Sequence, residues 1–314
     1  MDGFIIVDKC AGMTSHDVVS SVRRLVGMKK VGHTGTLDPF ATGVLPIALG
    51  EATKAIPFLD ESVKEYRAVM RLGASTDTQD LTGAVIRQGE WRDVSPARIA
   101  DTFRLFIGRG SQVPPMYSAL KRNGVPLYRL ARKGEDVHRE PRDIEIYSLV
   151  IDRMDLPDVT FTVRCSRGVY VRTLANDIGD RLDTGAHLVE LRRIASGPFR
   201  LENALSLEDV AVVTGRKSLD DHLISCHAAL EHLRDLPCTE EGARRIARGI
   251  APEAADLAAL PDSPLRPMER VRCSRNGRLL AVAEATVGGW PDSAEKLHLA
   301  RVFNEHCLYI EGHV

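Results

Sequence analysis

The spacing of apolar positions changes several times along this chain, and each change predicts an element. Phe4-Ile5-Ile6-Val7 is short and continuous, as in a strand buried on both faces. After a turn over 8–13, Thr14 and Asp17 stand in capping-box spacing, and Val18, Val19, Val22 and Leu25 then share one helical face. Val44 to Leu49 reads as a strand, Glu51 to Lys54 as a helix start, and Lys64 to Leu72 as a strand carrying Tyr66. A turn-rich segment over 73–83 leads to a strand from Ala84 to Arg87, and Ser95 caps a helix through Leu105. Ile144–Ile151 and Val159–Cys165 alternate as paired strands; Cys165–Leu174 then passes from strand to helix, burying Leu174, Ala175, Ile178 and Leu182. From about Pro237 come a charged helical segment (Thr239–Gly249), an Ala/Pro-rich connection (250–267) and a strand-like run (271–283) broken by Asn276-Gly277, a strong hairpin signal.

Mixed strands and helices make this an α+β chain, and 314 residues suit two domains. The 44% hydrophobic and 27% charged fractions are those of a globular protein. No apolar run approaches the roughly 18 residues of a membrane span, and the short apolar start after Asp2 does not resemble a signal peptide, so a cytoplasmic address is expected. Six scattered cysteines include no C-x-x-C pair; His222 and Cys226 stand four apart with His227 and His232 nearby, but one cysteine among helical histidines is a weak metal signal, so no structural zinc is expected. The net charge of −1 does not announce a nucleic-acid ligand. Local excesses do permit one: nine Lys/Arg against five Asp/Glu from Arg104 to Glu145, and seven against four from Arg164 to Leu201.

Chemistry concentrates between Val31 and Leu49, where three glycines, three threonines, His33 and Asp38 precede an apolar run. Gly32, Gly35 and Gly43 would relieve the bar on positive φ and let a ligand approach the backbone. Pro39 biases Asp38 towards extended backbone, so its carboxylate projects from a constrained loop. On residue type alone, a turn-capping aspartate and a catalytic one both fit.

Every fixed position from Gly32 to Pro46 matches the G-H-T-G-x-L-D-P-x-A-T-G-x-L-P loop of the TruB-type tRNA pseudouridine synthases, which this chain resembles. Further matches are Gly50-Glu51-Ala52-Thr53-Lys54, a P-x-x-S-A-x-K segment ending at Lys121, S-[KR]-G-x-Y-[IV]-R ending at Arg172, and G-A-x-x-x-x-L-R-R ending at Arg193. Cys10 stands where the family usually has proline after Lys9. The resemblance implies a pseudouridine synthase fold, a mixed and largely antiparallel sheet, over residues 1–232. An RNA-covering insertion is implied at about 108–142, and a small PUA-like β module over 233–314.

The resemblance also implies the activity: isomerisation of uridine 55 in the TΨC loop of tRNA to pseudouridine after the base is flipped out. Asp38 would be the catalytic carboxylate and Arg172 its partner, fixing it and favouring the anion. Tyr66 would stack on the uracil and stand close to its C5 proton, although a tyrosine base must overcome a high pKa. His33 would enter the RNA where the base has left, Tyr170 and Leu191 would wall the uracil pocket, and Lys9 would support the loop or contact RNA. No cofactor is implied, because the reaction involves no net redox change or group donor. The expected partner is tRNA alone, bound by a monomer without guide RNA or helper protein. A non-catalytic RNA-binding protein and a base-releasing hydrolase are the rivals.

Overall fold

The computed structural model describes residues 1–286, 289–291 and 297–303. Its first strand, β1 (Gly3–Lys9), is buried nearly throughout, as the Phe4–Val7 run predicts. Thr14 and Asp17 close the expected reciprocal capping box at the start of α1 (Ser15–Val26), which ends at Gly27 in the left-handed conformation, φ 66°. The signature stretch is not loop throughout: it begins as β2 (Val31–His33), which pairs with β3 (Thr42–Leu49). The helix expected from Glu51 is a 3-10 turn over Gly50–Lys54. A second such turn follows at Ile56–Phe58, where Pro57 supplies no backbone donor.

Next come β4 (Val63–Leu72), the small pair β5 (Ala74–Thr76) and β6 (Val85–Gln88), and α2 (Pro96–Arg104), capped by Ser95. The insertion contains β7 (Gly108–Gln112), the short pair β8 (Lys121–Arg122) and β9 (Val125–Pro126), and α3 (Leu127–Ala131). Then β10 (Arg142–Asp155) and β11 (Asp158–Ser166) pair antiparallel as their alternation predicts, and α4 (Val171–Arg181) leads to β12 (Ala186–Ser196) and β13 (Phe199–Arg200).

Among the described residues these strands form a nine-stranded sheet in the order β1-β3-β12-β4-β11-β10-β7, with β2 on β3 and β13 on β12. Only β12 and β3 run parallel; the other pairings are antiparallel. The sheet is therefore mixed and largely antiparallel. Alternation along β4 turns Tyr66, Ala68, Met70 and Leu72 into the main core, with Val18, Val22, Leu174 and Ile178 from the helices. Gly43 is the one glycine of the signature stretch at positive φ, 100°; Gly32 and Gly35 are not, which corrects the expectation for those two. A Cβ at Gly43 would fall 2.2 Å from the Arg193 carbonyl oxygen, so the parallel contact of β3 with β12 needs glycine there.

After α5 (Leu207–Gly215) and α6 (Cys226–Ala229), a separate four-stranded sheet takes the order β14 (Arg234–Pro237), β15 (Arg270–Arg275), β16 (Arg278–Ala285), β17 (Leu297–Val302), with α7 (Glu240–Ala247) against it. Asn276 and Gly277, at φ 50° and 72°, turn β15 into β16 as that dipeptide predicts. Leu279, Val282 and Phe303 of this unit pack with Phe4, Ile6, Val44 and Ala48, burying the second face of β1 and β3. Cys10 is exposed, and Cys165, Cys226, Cys238 and Cys273 are buried; Cys307 lies outside the described residues. No described helix is long and apolar enough to cross a membrane, and no described cluster of His, Cys, Asp or Glu has the makings of a metal site.

Candidate active site

Asp38 is held by the backbone on both sides of it. Before it, the Ser15 hydroxyl on the first turn of α1 accepts from the Leu37 N–H (2.9 Å) and donates to the Leu37 carbonyl (3.2 Å). After it, the Ala41 N–H donates to the Asp38 carbonyl, closing a turn with Pro39 at its second position, where a fixed φ is favoured. The Pro39 carbonyl accepts from Gly12 N–H and from Lys9 Nζ. On the other flank Arg193, fully buried, donates to the carbonyls of Val44 (2.8 Å), Gly35 (3.1 Å) and Thr36 (3.4 Å). Ser15 and Arg193 were not singled out from the sequence. The Leu-Arg-Arg end of the last motif was the available signal for Arg193.

Of the two roles expected of Lys9, the structure shows support of the loop and corrects its placing among the substrate-binding residues. Its side chain is fully buried, and Nζ donates to the carbonyls of Cys10 (2.8 Å), Met13 (2.8 Å) and Pro39 (3.1 Å). With the ammonium enclosed by backbone acceptors, Lys9 braces the turn under the signature loop and has no face for RNA. The Cys10 carbonyl is one of those acceptors, so the turn closes with cysteine in place of proline.

Arg172, on the first turn of α4, reaches the carboxylate from 134 positions further along the chain. Its Nε donates to Asp38 Oδ2 at 2.8 Å and its Nη2 lies 3.4 Å from Oδ1. The rest of the guanidinium is occupied: Nη1 donates to the Thr78 carbonyl (2.7 Å) and Nη2 to that of Tyr117 (2.7 Å), and Asp80 stands 3.7 Å away. Arg172 is buried, while about a third of the Asp38 side chain stays open, at 33%. Burial pushes the Asp38 carboxyl above the usual aspartate value, and the Arg172 charge pulls against it without cancelling it. The pairing is as expected; the net direction is not, because desolvation outweighs the guanidinium.

The carboxylate opens onto a cavity of about 410 Å³ lined by six of the seven residues singled out from the sequence: His33, Asp38, Tyr66, Tyr170, Arg172 and Leu191. Lys9 is outside it. Tyr66 and Leu191, almost wholly buried, come from the adjacent strands β4 and β12 and give the cavity apolar walls. Burial raises the Tyr66 phenol to about 12 against the opposing charge of Arg193, so it is neutral at pH 7. Tyr170 directly precedes α4; its backbone N–H and carbonyl are both held by the Gln112 side chain, at 2.8 and 3.2 Å. His33 is partly buried, which with Arg193 nearby lowers its pKa below the ordinary histidine value, and its buried Nδ1 has no partner among the described residues. Glu61, also on the wall, accepts from the hydroxyls of Thr34 and Ser196.

Comparison with known proteins gives a consistent answer. A family model described as TruB family pseudouridylate synthase (N terminal domain) matches residues 23–171, and one described as tRNA pseudouridylate synthase B C-terminal domain matches residues 172–234. The tRNA pseudouridine synthase B of Geotalea uraniireducens (strain Rf4) is 60% identical, with 97% of this chain and 98% of that one aligned. The protein of the same name from Geobacter sulfurreducens is 55% identical over 97% of this chain and 100% of its own. Among solved structures, a chain in the crystal structure of a Cbf5-Nop10-Gar1 complex superposes with a TM-score of 0.74 at 27% identity, covering 96% of this chain and 84% of that one.

Proposed function

The chain belongs to the TruB family of pseudouridylate synthases, enzymes that form pseudouridine, and on that premise we propose that it converts uridine 55 in the TΨC loop of tRNA to pseudouridine. The observation that carries this reading is the Asp38 carboxylate, gripped by Arg172 and opening onto a cavity with Tyr66 and Leu191 as walls. The target base, stacked in a folded loop, must be everted to enter. Its face then lies on the Tyr66 ring and its edge against Leu191, with Tyr170 at the side. His33, neutral and on the rim, takes the place the base has left.

Asp38 acts as the nucleophile, as carboxylates do at sugar and other electrophilic carbons. An Asp38 oxygen bonds to C1′ as the C1′–N1 bond breaks, the base turns, and C5 bonds to C1′ as the bond from C1′ to Asp38 breaks, which frees the carboxylate. The C5 proton leaves and N1 gains one, so the reaction balances without oxidant, donor or cofactor. Tyr66 is neutral and serves as a stacking surface. The freed Asp38 carboxylate then receives the C5 proton; Glu61, the other carboxylate on the cavity wall, accepts from Thr34 and Ser196 at Oε1.

The enzyme works in the cytoplasm as a monomer without guide RNA or protein partner, with 1–232 as the catalytic domain and 233–314 as a PUA-like RNA-binding module. The insertion between β7 and β10 supports the stand-alone form: it presents Lys121, Arg122, Arg129, Arg132 and Lys133 on short elements beside the cavity, suited to phosphates. The relatives named tRNA pseudouridine synthase B support tRNA as the substrate. The test incubates the purified chain alone with an unmodified tRNA transcript and maps pseudouridine at position 55, with Asp38→Asn as the control. Product from wild type only is expected. Free uracil and abasic RNA would make it a hydrolase; tRNA binding with no pseudouridine from either form would make it a binding module.

A further inference from the structure

Cations near the cavity fall into two groups. Arg172, Arg193 and Lys9 are spent: their donors go to Asp38 and to eight backbone carbonyls, so none can turn to a ligand without breaking the site. Lys64 and Arg167 also line the cavity, and neither makes a side-chain hydrogen bond or ion pair to any described residue. The fold sets them side by side. β4 and β11 pair with Val63 opposite Ser166 and Lys64 opposite Cys165, and the Arg167 N–H donates to the Ser62 carbonyl at 2.7 Å. Lys64 lies two residues before Tyr66 on the same strand, so both side chains leave the sheet on one face. Its Nζ crowds the signature loop, 3.0 Å from where a Gly35 Cβ would be.

Resting on the reading of this cavity as the uridine site, we propose that Lys64 and Arg167 form a phosphate site that takes the phosphodiester flanking the everted nucleotide. A nucleoside whose base enters the cavity brings its own charged linkages to the rim, and these two are the lining cations left to meet them. The surroundings favour an anion. Lys64 is largely enclosed, with Arg193 and Arg167 near it, and these lower its pKa to about 8; Glu61, the one carboxylate that counters them, is already shared by two hydroxyls. An arriving phosphate would relieve the repulsion among the three cations and hold Lys64 charged. Arg167, exposed at the rim, supplies a planar donor fork for the same oxygens. A lysine placed there for packing alone would gain nothing from the charge on the RNA.

The test is a binding cycle with the full-length protein, using Lys64→Met, Lys64→Arg, Arg167→Gln and wild type. The RNAs are unmodified TΨC stem-loops with an ordinary linkage, or with a neutral methylphosphonate linkage 5′ or 3′ of the target nucleotide, placed on a 2′-deoxy sugar with a 2′-deoxy diester as its control. Neutralising one of the two linkages should weaken wild-type binding by about tenfold, the size of one charge-assisted contact. Lys64→Met should weaken binding to the charged RNA by a similar factor and then be nearly indifferent to that linkage, while Lys64→Arg restores sensitivity. The slope of log K against log salt should fall by about 0.7 for each cation removed, as for one single-strand phosphate. Equal loss on neutralisation in wild type, Lys64→Met and Arg167→Gln, at both linkages, would overturn the proposal. Thermal melts of each variant separate misfolding from lost contact. Pseudouridine formation by wild type on the charged RNA is read independently: its absence would overturn the activity, whereas the coupling is decided by binding alone.

Discussion

Replacing Arg172 by methionine removes a guanidinium that serves three partners while keeping much of its apolar volume. The Thr78 and Tyr117 carbonyls lose their donor at 2.7 Å, and Asp38 loses its only counter-charge within hydrogen-bond range among the described residues. Breaking a buried pair from one side typically costs about 3–5 kcal/mol, because the survivor is left unpaired in a poor solvent. With an unfolding entropy of ~2.1 cal/mol/K per residue over 314 residues, a loss of about 4 kcal/mol lowers Tm by about 6 °C. The effect on protonation has a definite sign. Asp38 already titrates above its ordinary value of 3.8 with Arg172 pulling it down, so removing that charge moves it further up. Between the unfolded and the raised folded value the native state binds the extra proton, so this group's contribution to stability falls as pH rises through that window. Activity needs the carboxylate and rises through the same window, so the acid limb of the pH–rate profile moves to higher pH in Arg172→Met. At the plateau the rate should still be down by about 10²-fold or more, since the carboxylate is no longer aimed. Calorimetry and tritium release from 5-³H-uridine-labelled tRNA across pH measure both quantities. An unchanged melting temperature with an acid limb at or below the wild-type position would refute the account.

Lys9→Met strands three backbone acceptors and should cost about 1–3 kcal/mol in denaturant unfolding, yet leave the salt slope of RNA binding unchanged, unlike Lys64→Met; a reduced slope would return Lys9 to the RNA surface. Gly43→Ala forces a side chain into φ 100° and against the Arg193 carbonyl, so a stability loss of at least about 1–3 kcal/mol is expected, together with slower turnover; a wild-type melt would contradict the register of β3 on β12. Tyr66→Phe keeps the stacking face and removes a phenol that is neutral at pH 7. Its tRNA affinity should stay within about twofold while Tyr66→Ala loses about tenfold or more, given the usual worth of a base stack, and the pH–rate profile of Tyr66→Phe should superpose on wild type below pH 9.

Elements specified by their own residues were legible in advance. The Thr14–Asp17 box, the Asn276-Gly277 turn and the alternation of β10 and β11 each act through neighbours in sequence, and the structure has them where the pattern put them. What depends on distant partners was not. Nothing near Lys9 signals that Cys10, Met13 and Pro39 close over its ammonium, and a lysine beside a turn usually reads as solvated. The strand from Val31 exists because β3 offers it an edge, which no period within three residues could reveal. The meeting of Asp38 with Arg172 spans 134 positions and was reached through resemblance. The rise in Asp38's pKa depends on how much protein surrounds the pair, a quantity residue identity does not carry.

The second face of β1 and β3 has a consequence for engineering. Because Phe4, Ile6, Val44 and Ala48 share a hydrophobic cluster with Leu279, Val282 and Phe303, the last eighty or so residues are not a detachable accessory. Cutting the chain after the catalytic sheet would uncover an oily surface on the very strands that carry Lys9 and follow Asp38. A shortened enzyme would then invite clumping and a slackened centre together, and inactivity of such a fragment would say little about what its missing part recognises.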